Sequence, residues 1–100
     1  MKRITYPAAC VLQALHNGDK YGFSIMESTG LPSGTVYQIL RRLERADLVN
    51  STWEEQAEVQ GEGRPRRRYY ELTGEGRLAL TRAAERYNRH LAVFEHTPTR

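Results

Sequence analysis

The 100 residues carry 15 Lys and Arg against 12 Asp and Glu, a formal charge of +3, which bounds a single modest domain with a mildly basic balance. Cys10 is the lone cysteine, which excludes an intrachain disulfide or a cysteine zinc cluster and fits a reducing compartment. No apolar run approaches the ~18 residues of a membrane span. Met1-Lys2-Arg3 ahead of Ala8, Ala9 and Cys10 lacks the continuous apolar stretch of a lipoprotein signal, so the chain is expected to be soluble and cytoplasmic.

The first predicted helix covers residues 6–17. Pro7 suits an early helical position, Ala8, Val11, Leu12 and Leu15 fall on one face, and Asn17-Gly18-Asp19 stops the helix. A shorter helix over residues 21–28 buries Ile25 with Tyr21 and Met26, and Thr29-Gly30-Leu31-Pro32 turns the chain tightly. Ser33 is the expected N-cap of a third helix over residues 34–46. Val36, Leu40 and Leu43 form its core stripe, with Ile39 beside them. Thr35, Gln38, Arg41, Arg42 and Arg45 lie opposite. Leu48-Val49 closes the core, a strand starts at Ser51 and runs through Glu55, residues 60–65 turn, and residues 67–72 return as a second strand. Thr73 caps a last helix over residues 74–95, with Glu75 in the first turn where the helix dipole favours an anion. The final residues, 97–100, are expected to fray.

Two elements point to a polyanion. The short helix, glycine-bearing turn and following helix form a helix-turn-helix pattern. At the start of the third helix, Ser33, Gly34, Thr35 and Tyr37 are small or hydroxylic enough to let free backbone N–H groups approach a phosphate. Gln38 and Arg42 lie one turn apart on the exposed face, where Gln suits adenine and Arg suits guanine in a major groove, and Arg41 and Arg45 extend the cationic stripe. Downstream, Arg64, Arg66, Arg67 and Arg68 crowd around Pro65 behind Gly61 and Gly63. Guanidiniums so close repel one another unless something negative neutralises them, and a basic hairpin tip suits a polyanion groove. A solvated charge run is the plain alternative for either element alone. Side by side they make a recognition helix followed by a basic wing.

In the last helix, Leu80, Ala84, Tyr87, Leu91 and Phe94 recur at spacings of four and three, a seam expected to meet a second copy of the chain. Packing on the chain's own first helix is the alternative. Trp53, Tyr69 and Tyr70 are expected in the sheet, as core or near phosphate, with a small-molecule pocket as a lesser option. His16, His90 and His96 share no metal-ligand spacing. There is no acidic cluster, no glycine-rich nucleotide loop and no nucleophile-base pair, so no metal, cofactor or catalytic site is expected. Cys10 is expected to be inert core.

Four runs carry a family resemblance: Tyr21-Gly22-Phe23-Ser24-Ile25-Met26, Gly30-Leu31-Pro32-Ser33-Gly34-Thr35-Val36-Tyr37, Leu40-Arg41-Arg42-Leu43-Glu44, and Gly63-Arg64-Pro65-Arg66-Arg67-Arg68-Tyr69-Tyr70-Glu71-Leu72-Thr73. Over residues 11–80 the chain resembles the PadR family of bacterial transcriptional regulators. The resemblance implies a dimeric winged-helix repressor, with DNA contact at Ser33, Gly34, Thr35, Tyr37, Gln38 and Arg41 and at the Arg64-Pro65-Arg66 wing. Longer members of that family have a large C-terminal domain, and effector binding through such a domain is not expected here.

The expected fold is therefore mainly α with a small β-hairpin wing: a winged helix-turn-helix domain over residues 1–73 and a C-terminal dimerisation helix over residues 74–96, ending in a frayed tail over 97–100. The expected function is sequence-specific binding of double-stranded DNA by a homodimer that represses from a pseudo-palindromic operator. The rival is a winged-helix module whose basic face binds an acidic protein and has only non-specific DNA affinity. The operator, the regulated genes and any small-molecule effector are left open by the sequence.

Overall fold

The computed structural model describes residues 3–55 and 63–95. The expected turn residues 60–62, His96 and the tail over 97–100 lie outside them. The elements follow in the order α1 (Tyr6–His16), α2 (Gly22–Thr29), α3 (Ser33–Arg45), β1 (Val49–Trp53), β2 (Arg68–Leu72) and α4 (Gly74–Glu95). The fold is mainly helical with one antiparallel β-hairpin, a winged helix-turn-helix.

Local chemistry sets the boundaries. The Thr5 hydroxyl accepts the Ala8 N–H at 3.3 Å and so caps α1, with Pro7 in its first turn. Gly30 ends α2 at φ 73, in the left-handed region that favours glycine. Pro32, not Ser33, is the N-cap of α3: its backbone is extended, its carbonyl accepts the Val36 N–H at 3.0 Å, and Ser33 is already helical. Proline has no side-chain acceptor, so the first N–H groups of α3 have no capping side chain. Thr73 does cap α4, since its hydroxyl accepts the Gly76 N–H at 3.0 Å and also donates to the Asp47 carbonyl at 2.7 Å.

β1 starts at Val49, two residues before the expected Ser51, and β2 starts at Arg68 instead of Arg67. Val49 faces Leu72, Ser51 faces Tyr70 and Trp53 faces Arg68. The far edge of β2 is also engaged, because the Tyr70 N–H donates to the Lys20 carbonyl at 2.8 Å. This bond ties the hairpin to the segment joining α1 and α2, so the wing is held against the helices.

The core lies where α1, α2, α3, the hairpin and the first half of α4 meet. Leu12, Ile25, Leu40, Leu43, Val11, Val36 and Val49 are its most deeply buried side chains. Tyr70 joins it from β2, and Leu80 and Ala83 join it from α4. Burying each large apolar side chain contributes roughly 1.5–3 kcal/mol. α4 runs along α1, where Tyr6 meets Tyr87 edge-on at 5.2 Å and the Tyr87 hydroxyl donates to the Ile4 carbonyl at 3.0 Å. Past that point α4 leaves the body, and Leu91, Val93 and Phe94 are 55%, 69% and 76% exposed. Among the described residues no helix is long and apolar enough to cross a membrane.

Candidate nucleic-acid interface

The 3.6-residue period of α3 separates two faces. Val36, Ile39, Leu40 and Leu43 are buried, while Ser33, Gly34, Tyr37, Gln38, Arg41, Arg42 and Arg45 are exposed and Thr35 is half-buried. A Cβ on Gly34 would meet nothing within 4 Å, so no contact inside the chain requires glycine there. Tyr37 is set by its neighbour: Gly22 is buried, and a Cβ on it would come within 2.5 Å of the Tyr37 ring. Glu44, the acidic residue on this helix, is half-buried. Its carboxylate accepts the Ser51 hydroxyl and lies 3.6 Å from the Arg68 guanidinium, so it does not break the cationic face.

The wing is more tightly bonded than its composition implied. Glu54, just past β1, is 3% exposed. Arg64 donates to both of its carboxylate oxygens, at 2.6 and 3.0 Å. The Arg67 N–H and the Tyr69 hydroxyl donate to the same carboxylate, at 3.2 and 3.0 Å. The backbone of Glu54 joins in: its carbonyl accepts Arg66 Nε–H at 2.8 Å and its N–H donates to the Arg67 carbonyl at 2.8 Å. Glu54 is thus part of what neutralises the arginine crowd. Aromatic rings take up more of it, with Arg66 and Arg68 6.0 and 5.3 Å from the Trp53 ring and Arg67 4.7 Å from Tyr21. Tyr21 in turn packs on Tyr69 at 4.9 Å. Pro65 is exposed at the turn, two residues after Gly63 at φ 65.

Between the start of α2, the start of α3 and the wing is an open cleft of about 680 Å³, lined among others by Phe23, Tyr37, Trp53, Arg66 and Arg68. Tyr37 of α3 and the arginines of the wing therefore border one concavity that mixes aromatic and cationic side chains. Of the expected sheet aromatics, Tyr70 is core, Tyr69 is half-buried on Glu54, and Trp53 is 55% exposed in the cleft. Phe23, 65% exposed on the same cleft, was not singled out by the sequence. Neither was Glu54, the acidic residue just past the end of the opposite strand.

Hydrogen bonding from Arg64, chiefly, and then from the Arg67 N–H and the Tyr69 hydroxyl, lowers the Glu54 pKa from 4.5 to about 2 against the opposing effect of burial. A pKa lower in the folded than in the unfolded state stabilises the fold above the unfolded value, and that stability is lost as pH falls through the folded one. Urea unfolding of the wild type and Glu54→Gln should therefore differ most above pH 4.5 and converge towards pH 2. A gap independent of pH over that window would mean that the charge on Glu54 contributes nothing. The Tyr69 hydroxyl is pushed up, by hydrogen bonding to Tyr21 first and then by burial and Glu54, so it remains a donor across this range.

The expected dimer seam is divided by the fold. Leu80 is 7% exposed and packs in the chain's own core, Ala84 and Tyr87 are half-buried, and Leu91 and Phe94 are exposed. Cys10 is half-buried, not fully core. Among the described residues no group of three His, Cys, Asp or Glu side chains is placed to hold a metal ion.

A family model described as the transcriptional regulator PadR-like family matches residues 11–82. The fold is similar to that of a PadR family transcription regulator from Clostridium difficile R20291, with TM-score 0.75 and 28% identity, covering 91% of this chain and 96% of that one. It is also similar to the PcaV transcriptional regulator from Streptomyces coelicolor, solved in complex with its natural ligand, with TM-score 0.77 and 28% identity over 93% of this chain and 62% of that one. A transcriptional regulator from Clostridium thermocellum shares the fold at TM-score 0.73 and 24% identity, covering 94% of this chain and 91% of that one. Among curated proteins none matches the sequence.

Proposed function

The chain belongs to the PadR-like family of transcriptional regulators, and we propose that this DNA-binding regulator works as a repressor, a homodimer that occupies a pseudo-palindromic operator. The observation that carries this reading is the exposed face of α3. From Ser33 to Arg45 it offers small, amide and cationic side chains, and Glu44 is held aside by Ser51 and Arg68. Ser33, Gly34 and Thr35 bring the uncapped N-terminus of α3 to a phosphate, with Tyr37 alongside. Gln38 and Arg42 read base edges, Arg41 and Arg45 meet the flanking backbone, and the exposed arginines of the wing follow the neighbouring strand. The Leu91 and Phe94 end of α4, with Tyr87 at its margin, meets its copy across a two-fold axis.

Footprinting on the promoter beside the gene tests this directly. The expected result is protection of a pseudo-palindrome whose half-sites are centred about one helical turn, 10–10.5 bp, apart. Equal affinity for every duplex and no protected site would leave the protein-interaction module in its place. Gln38→Ala and Arg42→Ala should each lose about 1–3 kcal/mol on the operator and much less on random duplex. A selection on randomised half-sites should show relaxed preference at one or two positions. Equal losses on all sequences would assign both side chains to phosphate.

A further inference from the structure

Glu54 puts a buried anion beside the arginines of the wing, and the consequence rests on the DNA-binding reading above. We propose that Glu54 is a positioning residue that withholds Arg64 from DNA, so that the wing meets phosphate through Arg66, Arg67 and Arg68. The geometry separates the two roles. Arg64 gives two guanidinium hydrogen bonds to the two oxygens of one carboxylate, a bidentate pairing that matches what a phosphate would offer. Its side chain is 21% exposed and that of Glu54 3%. Turning Arg64 outward would leave a carboxylate buried without its cation, which is far costlier than exchanging one surface partner for another.

The remaining arginines are held in ways that leave donors over. Arg66 uses Nε–H on the Glu54 carbonyl and lies beside Trp53, and Arg67 lies over Tyr21. Arg68 gives Nε–H to Ser51 at 2.9 Å, and its side chain is 40% exposed. Each can add a phosphate contact without uncovering a buried charge. The same carboxylate fixes the wing backbone through the Arg67 N–H, so Glu54 aims the exposed arginines as it removes Arg64 from the phosphate count. One cation fewer at the backbone weakens binding to any sequence by about the same factor and lowers the salt dependence, while base readout is spared.

Salt-titrated fluorescence anisotropy of the full chain on operator and random duplexes tests this. Glu54→Gln should release Arg64 and steepen the log–log salt slope on random DNA by about 0.9, a change of about 3.5-fold over a fourfold salt range. The operator slope should steepen by the same amount, which leaves the operator-to-random ratio unchanged. The pair Glu54→Gln with Arg64→Met removes both charges and keeps the bulk, and should return the wild-type slope. A slope lower than wild type by about one in that double variant would show that Arg64 touches phosphate, and an unchanged slope in Glu54→Gln would show that nothing was withheld; either overturns the proposal. NMR of the arginine Nε–H groups of the wild type gives a readout that needs no variant to fold. On adding duplex, Arg66, Arg67 and Arg68 should shift and Arg64 should not, and an Arg64 shift as large as that of Arg66 overturns the proposal. Wild-type protein that binds no duplex at any salt would instead remove the DNA-binding reading, and this inference with it.

Discussion

Leu91→Asp is expected to make the protein monomeric while its body stays folded. Leu91 and Phe94 are 55% and 76% exposed at the end of α4, beyond the point where Leu80 and Ala83 enter the core. Their apolar area contributes little to the fold of one chain, and in the proposed dimer it is buried twice. Each large side chain covered there is worth roughly 1.5–3 kcal/mol, and the two-fold axis doubles the effect of every substitution. An aspartate at position 91 would place an unpaired carboxylate in each half of the seam. A monomer reads one half-site, so operator affinity should fall by about 10²–10⁴-fold, the usual advantage of joining two binding units. Affinity for random duplex, set by phosphate contacts, should fall far less. Analytical ultracentrifugation with circular dichroism checks both halves of the claim. A Leu91→Asp protein that is still dimeric at micromolar concentration would place the dimer contact elsewhere.

What the sequence made legible was what repeats at a fixed period. The apolar spacing of α1 and α3 located both helices and their inner faces, and Thr73 was readable as a cap because a hydroxyl before a helix has few other roles. Spacing names a face and not its partner. The stripe from Leu80 to Phe94 is continuous in sequence, yet its first residue is in the chain's own core and its last two are in solvent. The wing shows the same limit. Its arginines are plain in the sequence, but Arg64 meets Glu54 only after Val49–Trp53 and Arg68–Leu72 pair antiparallel, ten positions apart along the chain. Ser33 has the better capping chemistry, but the extended backbone of Pro32 ends where the helix begins, which puts proline at the cap. Nothing in the sequence marks Gly76, because what demands glycine there is a backbone atom distant in sequence.

Gly76→Ala should destabilise the protein sharply, against the usual sign for such a change. In a helix, alanine is ordinarily favoured over glycine by about 0.5–1 kcal/mol, since glycine loses more backbone freedom on folding. Here the added Cβ would lie 1.9 Å from the Leu48 carbonyl oxygen and 3.0 Å from its carbon, both backbone atoms. That carbonyl cannot swing aside. It accepts the Thr73 N–H at 3.1 Å, and the Leu48 N–H is fixed on the Leu43 carbonyl at 2.9 Å. The helix must move instead, drawing Leu80 and Ala83 out of the core. Overpacking of this kind typically costs about 1–3 kcal/mol, occasionally more, a large part of the ~5–15 kcal/mol that holds an ordinary domain folded. Gly74 supplies the control two residues earlier, where a Cβ would meet nothing within 4 Å. Urea unfolding should find Gly74→Ala at or slightly above wild-type stability and Gly76→Ala well below it. If both are equally stable, α4 does not press on the Leu48 carbonyl. If that contact also steers α4 towards its copy in the proposed dimer, Gly76→Ala protein that remains folded should bind the two half-sites of the proposed operator less well than each half-site alone predicts.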